Sequence, residues 1–253
     1  LSIVSPKENI NLPFSKNNNQ FLSFNGEIYN YLDLRENLKN KGINFKTSTD
    51  TEVLYEYLIN YNLEKLEKMN GMWSFAFYDK KKNELLLSRD LLGERHLFYT
   101  ITNDQLIFSS EIKPIISVTE NSNEMNFDSI VTSWKFTSCS PGETLLKNIY
   151  RLRPGTNLLF KNGSIKINRF QKLHPEKWFN FFSKNPNIFE VEKKFEEIFS
   201  KEIEIRIPNE VHYFTALSGG IDSSILAYFI SKIKKKNVQT IFGVSNSSQK
   251  KIR

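Results

Sequence analysis

SGGIDSS, residues 218–224, lies between an apolar stretch that ends at Leu217 and an amphipathic stretch that begins at Ser223. A strand running into a tight Gly-Gly turn and then a helix aims several backbone N–H groups, two hydroxyls and the positive end of a helix dipole at one spot. Such a spot suits a pyrophosphate. Gly219 and Gly220 let the main chain approach a ligand with no Cβ in the way, and Asp222 is placed to hold Mg²⁺ or to orient the turn. No Lys-Ser/Thr pair closes the loop, so the pattern is not Walker A. The plain alternative is a Ser/Gly helix start with Asp222 as an ordinary first-turn acid; seven consecutive positions in strand-to-helix context weigh against it.

Working outward, residues 211–217 have strand length, and Ile225, Leu226, Phe229, Ile230 and Ile233 follow a helical stripe. Lys232, Lys234, Lys235 and Lys236 suit the C-terminus of that helix. Residues 238–244 read as a second buried strand, so the unit is a right-handed parallel crossover with its ligand at the carboxyl ends of the strands. Upstream, 189–207 reads as a helix with Phe195, Ile198, Phe199 and Ile203 inward. The aromatic, Pro-punctuated stretch 174–187 reads as a linker, packed down because Trp178, Phe179, Phe181 and Phe182 are too apolar for a free tether.

The first two-thirds of the chain has a different rhythm. A short strand at 20–24 precedes a helix at 31–41 with Tyr31, Leu34 and Leu38 on one face and Gly42 as its stop. Thr49 and Glu52 have capping-box spacing, and Val53, Leu54, Tyr57, Leu58 and Tyr61 form the buried stripe of the helix that follows. Aromatic and β-branched runs at 73–78, 84–88, 97–100 and 105–109 read as successive antiparallel strands. Asn162-Gly163 signals a type I′ hairpin between 157–160 and 164–167.

Composition narrows the function classes. With 253 residues, 39% of them hydrophobic and 25% charged, the chain can bury a real core and is long enough for two units. Its apolar runs stay short of the ~18 residues of a membrane span, and no basic-then-apolar leader opens it, so a soluble protein without a membrane partner is expected. The net charge of +7 is spread along helices beside glutamates and not gathered with aromatics, which argues against nucleic acid. The single cysteine, Cys139, excludes an intrachain disulfide and fits a reducing cytoplasm; a small buried or half-buried role suits it.

The SGGIDSS run resembles the PP-loop of the ATP pyrophosphatase group, and the resemblance extends to glutamine-hydrolysing asparagine synthetases through LSIV (1–4), FNGEIYNY (24–31), STDTEVL (48–54), NGMWSFAFYD (70–79), SRDLLGERHLFY (88–99), FSSEIKPII (108–116) and RLRPG (151–155). It implies an α+β four-layer αββα sandwich of antiparallel sheets, of the N-terminal nucleophile type, over 1–170. A linker at 171–188 and the start of an α/β parallel-sheet nucleotide-binding domain at 189–253 would follow. In the first domain it implies that Asn25 and Gly26 form an oxyanion hole. Glu27 and Asp50 would receive glutamine's α-ammonium, and Leu1, Ser2, Ile3 and Val4 would line the pocket. In the second, it implies that Leu217, Ser218, Gly219, Gly220, Asp222, Ser223, Ser224 and Val244 bind ATP, with Asp222 on a nucleotide-borne Mg²⁺. Each has a plainer reading: Asn25-Gly26 is an ideal tight turn and Asp50 a favourable helix-start acid. The collinear match favours the functional one.

The chain departs from this family where it begins. The family's nucleophile is an amino-terminal cysteine and its carboxylate-gripping arginine stands just ahead of Leu1; an internal fragment of a longer protein is therefore expected. Cys139 cannot substitute, because its own amine is tied up in a peptide bond. His96, where relatives carry proline, is expected to be structural or superficial, and His174 and His212 lack ligand-like spacing. The expected activity of the parent protein is ATP-dependent, glutamine-hydrolysing amide synthesis, aspartate to asparagine through an acyl-adenylate. Another carboxylate acceptor, in sugar amidation or ring closure, is the near alternative, and a non-catalytic binding module the distant one. A homodimer is an admissible assembly. A phosphoribosyl-transferring amidotransferase is disfavoured, since its second domain has no need of SGGIDSS.

Overall fold

The computed structural model describes residues 4–8, 10–61, 63–119, 124–170, 173–208 and 211–243. The chain divides into two compact units, one of Lys7–Leu173 and the other of Leu1–Pro6 with His174–Arg253. The stretch expected to link two domains therefore belongs to the second unit from His174 onward.

In the larger unit β1 (Gln20–Ile28) is followed by α1 (Tyr31–Lys39) and α2 (Asp50–Asn60), then β2 (Gly71–Asp79), β3 (Glu84–Arg89), β4 (Phe98–Thr102), β5 (Gln105–Ser109), α3 (Ile112–Val118), α4 (Phe127–Phe136), β6 (Tyr150–Arg151), β7 (Thr156–Lys161) and β8 (Ser164–Arg169). All pairings are antiparallel: a five-stranded sheet in the order β1-β2-β3-β7-β8 and a three-stranded sheet in the order β5-β4-β6. The expected run of successive strands thus breaks after β3, whose second neighbour is β7.

Alternation along the strands builds the layers. Leu22, Ile28, Trp73, Phe75 and Phe77 face Leu34, Leu38, Val53, Leu54 and Tyr57 of the helices, closing one core. Ala76, Leu87 and Leu158 face the other way and meet Leu97, Tyr99 and Leu152 between the two sheets. α3 lies against β4 and β5 and buries Ile115. These are the antiparallel sheets and flanking helices of an αββα sandwich. The hairpin turn carries both expected positive φ values, 49° at Asn162 and 75° at Gly163, and places β8 at the sheet edge.

Two local expectations change. β1 does not stop at Phe24 but runs through Asn25-Gly26 to Ile28, because β2 offers it an unbroken partner from Asp79 to Gly71. The Thr49–Glu52 box is half made: Thr49 Oγ1 accepts from Glu52 N–H at 3.4 Å, but the Glu52 carboxylate takes Lys46 N–H, Thr47 N–H and the Lys16 ammonium instead. The complete box sits at Asn187 and Glu190.

The smaller unit holds α5 (Glu176–Phe182), α6 (Ile188–Glu204), β9 (Thr215–Ala216), α7 (Ile221–Lys234) and β10 (Thr240–Ile241). Ile203 and Ile207 pack on Phe229 and Ile230. β9 and β10 are parallel, as expected, but each is two residues long where 211–217 and 238–244 were expected, since among the described residues each pairs with the other alone. No helix among the described residues is long and apolar enough to cross a membrane.

Candidate active site

Two glycines set the geometry at the C-terminal half of β1. A Cβ at Gly26 would lie 2.1 Å from Met72 O, and one at Gly71 would lie 2.3 Å from Glu27 O. The strands approach closer here than any side-chain-bearing residue allows. Asn25 is exposed, and its side chain has no hydrogen-bond partner among the described residues, so its amide is available to a ligand. Because Asn25-Gly26 is strand and not turn, the plain tight-turn reading fails.

Asp50, the first residue of α2, is 6% exposed, and its Oδ2 accepts the Ile28 N–H at 3.1 Å at the end of β1. Burial pushes its carboxyl up to about 6, against the downward pull of the Ile28, Thr51 and Asp50 amides. Glu27 is also raised, first by burial and then by the Asp50 charge, while Arg95 pulls it down. Two carboxylates that disfavour each other's ionisation form a ready receptor for an ammonium group.

Arg95 was not singled out in the sequence; the structure brings it here through Asp90. That carboxylate, 1% exposed, accepts four main-chain N–H groups: Leu92 at 3.0 Å, Glu94 at 3.0 Å, Arg95 at 3.1 Å and Trp73 at 3.2 Å. Arg89 beside it donates to three carbonyls, Arg95 O at 2.6 Å, Leu152 O at 2.7 Å and Gly93 O at 2.5 Å. The only sequence sign of this knot was an Arg-Asp pair followed by Gly93, whose φ of 68° makes the turn. His96 is exposed and stands 3.3 Å from Arg89 Nη2; burial and then the Arg89 and Arg151 charges lower its pKa, which suits a structural residue.

In the other unit, Leu217 N–H donates to Ile241 O at 3.0 Å, and Gly219 turns the chain with φ 82° into α7. Ser223 Oγ and Ser224 Oγ both donate to Gly220 O, at 3.1 and 2.8 Å, and Ser218 N–H donates to Ser223 Oγ at 3.2 Å. The amides of Gly219, Ile221, Asp222 and Ser223 find no acceptor among the described residues. Asp222 is exposed in the first turn of α7. This open cradle of N–H donors fits a phosphate chain. The helix starts at Ile221, two residues earlier than expected, with Gly220 as its cap.

Leu1, Ser2, Ile3 and Val244 lie outside the described residues, and Val4 groups with the smaller unit, so a role for these in a pocket stays an expectation. Among the described residues no group of three or more His, Cys, Asp or Glu could hold a metal ion, and Cys139 is a half-buried free thiol.

The family model of the glutamine amidotransferase domain matches residues 1–171. The chain is 32% identical over 228 residues to asparagine synthetase [glutamine-hydrolyzing] 1 of Bacillus subtilis (strain 168), covering 89% of this chain and 35% of that protein. It is 31% identical over 204 residues to asparagine synthetase [glutamine-hydrolyzing] 3 of the same organism, covering 80% and 32%. The chain thus spans about a third of the length of these curated relatives. A glutamine phosphoribosylpyrophosphate amidotransferase from B. subtilis, solved with ADP and GMP, is similar at 19% identity and a TM-score of 0.45, over 96% of this chain and 54% of that one.

Proposed function

Because the chain belongs to the glutamine amidotransferase domain family, we propose that it serves ATP-dependent amide synthesis with glutamine as nitrogen donor, aspartate being the acceptor and an acyl-adenylate the activated form. One observation carries the reading: Asn25, Gly26, Glu27 and Asp50 meet where β1 ends against α2, with a free amide, a close-packed backbone and two mutually opposed carboxylates.

Glu27 and Asp50 bind the donor's α-ammonium, whose charge relieves their repulsion. The Asn25 side chain and the Gly26 N–H supply donors toward the oxyanion that forms when the γ-amide carbonyl is attacked. The cradle at 218–224 takes the nucleotide phosphates on its unpaired amides, with Asp222 in place to hold Mg²⁺. Mg·ATP would supply the leaving group that makes a carboxylate electrophilic.

Titration calorimetry with L-glutamine and, separately, Mg·ATP tests the division of labour. Asp222→Ala should lose nucleotide binding and keep glutamine binding; Asp50→Ala should do the reverse. Equal loss of both ligands in either variant would count against two separate sites.

A further inference from the structure

The first two turns of α2 carry three buried acids, Asp50, Glu52 and Glu56, and one cation answers two of them. Lys16 Nζ stands 2.6 Å from Glu52 Oε1 and 2.6 Å from Glu56 Oε1, and it donates to Asn44 O at 3.0 Å. Asp50 forms no ion pair among the described residues; its Oδ2 takes the Ile28 N–H at the end of β1.

A buried ion pair contributes little net stability, because lost hydration offsets the attraction, but it fixes one arrangement of the groups it joins. Glu52 shows which arrangement. Fully buried, it accepts the Lys46 N–H at 2.9 Å, the Thr47 N–H at 2.6 Å and the Thr47 hydroxyl at 2.7 Å. Because the Thr47 hydroxyl proton goes to Glu52, the 2.9 Å contact between Thr47 Oγ1 and Thr49 Oγ1 is donated by Thr49. Thr49 Oγ1 in turn accepts the Glu52 N–H. Residues 46–49, the turn that delivers Asp50 to α2, are thereby wired to a single carboxylate, which Lys16 ties to Glu56 one turn further along the helix. Burial raises the Glu52 carboxyl, and the Lys16, Lys46 and Thr47 donors overcome it and hold it below its ordinary value; Asp50, with no cation paired to it, goes the other way.

We propose that Lys16 and Glu52 are positioning residues of the glutamine site. They hold the 46–49 turn so that the Asp50 carboxylate stays on the Ile28 N–H, and Lys16, spent on Glu52 and Glu56, leaves Asp50 open to an incoming ammonium. The ligand rests on the glutamine reading above; the positioning rests on the hydrogen bonds alone.

Amide hydrogen exchange followed by NMR, alongside calorimetry with L-glutamine, tests this in the full chain. Lys16→Met keeps the aliphatic stem and removes the charge. Exchange should quicken about 10-fold at Ile28 and Thr47 and stay slow at Leu152, whose N–H is bonded to Leu97 O in the other core, so the fold is seen to persist. Glutamine affinity should fall about 10-fold, as expected when a binding group is misplaced. Lys16→Arg, which restores a cation, should recover most of both. Thr47→Val, nearly isosteric, cuts the hydroxyl link between Glu52 and Thr49 and spares the ion pair. It should give the same pattern at smaller size, and it decides the matter should Lys16→Met fail to fold. Unchanged Ile28 exchange, or unchanged glutamine affinity despite quickened exchange there, would overturn the assignment. Equal quickening at Leu152 would do the same, by showing a role in the whole fold. A wild-type chain that binds no glutamine would overturn the glutamine reading, while exchange at Ile28 still decides the positioning.

Discussion

Asp50 carries a charge that its burial disfavours. Its folded pKa of about 6 stands above its ordinary value of 3.8, so its contribution to stability is greatest below pH 3.8 and is lost as pH rises through 6. Asp50→Asn should therefore raise stability at pH 8 by about 3 kcal/mol, an advantage that shrinks by about half by pH 5. Urea melts at the two pH values check this, and a pH-independent difference would show that the carboxyl is not strained. The same variant should lose glutamine affinity, the usual exchange between stability and function. Asp90 has the opposite character. Asp90→Ala leaves four N–H groups, that of Trp73 buried, without their acceptor and should cost about 3 kcal/mol, with faster hydrogen exchange confined first to Trp73, Leu92, Glu94 and Arg95. Asp50 was singled out beforehand through the family resemblance, its local pattern alone reading as a helix-start acid; the Asp90 knot was not, since it depends on Trp73, distant in sequence.

Among the elements, the β1–β2 pair governs the site, and its two glycines set how near the strands lie. Gly26→Ala would force a methyl group into Met72 O at 2.1 Å, which only a shift of backbone can relieve. A loss of about 2 kcal/mol or more is expected, read as a lower denaturation midpoint. Gly163→Ala is the control. Its Cβ would meet Asp104 at 3.5 Å, an ordinary contact, so only the positive φ is penalised and about 1 kcal/mol should be lost. Elements set by their own residues were read well: β5 and the Asn162-Gly163 hairpin match, and α2 begins beside the expected Thr49 cap. Misreadings came where a partner decided. β1 runs on through Asn25-Gly26 because β2 continues opposite it, and β9 and β10 shrink to two residues because each has a single neighbour among the described residues.

On the scale of the molecule, the two units differ in how much core they own. The larger one has two hydrophobic clusters on opposite faces of its five-stranded sheet; the smaller rests on Ile203, Ile207, Phe229 and Ile230. The smaller unit should unfold first. Limited proteolysis followed by mass spectrometry should cut within 174–243 and leave a product close to 7–173, and simultaneous loss of both would show a single cooperative unit.

What the sequence determined by itself was set by near neighbours: antiparallel strands from their aromatic and β-branched runs, the helix stripes, the type I′ turn, and the glycine turn into a helix start at 218–224, while the αββα class came with the family resemblance. Tertiary structure alone decided that Asn25-Gly26 is strand, that Glu52 answers Lys16 and not its cap, and that Asp90 takes the Trp73 N–H. The reason is common to all three. A charge or backbone amide is satisfied by whatever lies within about 3 Å, and for these groups that neighbour comes from a distant part of the chain, brought near only when the sheets close.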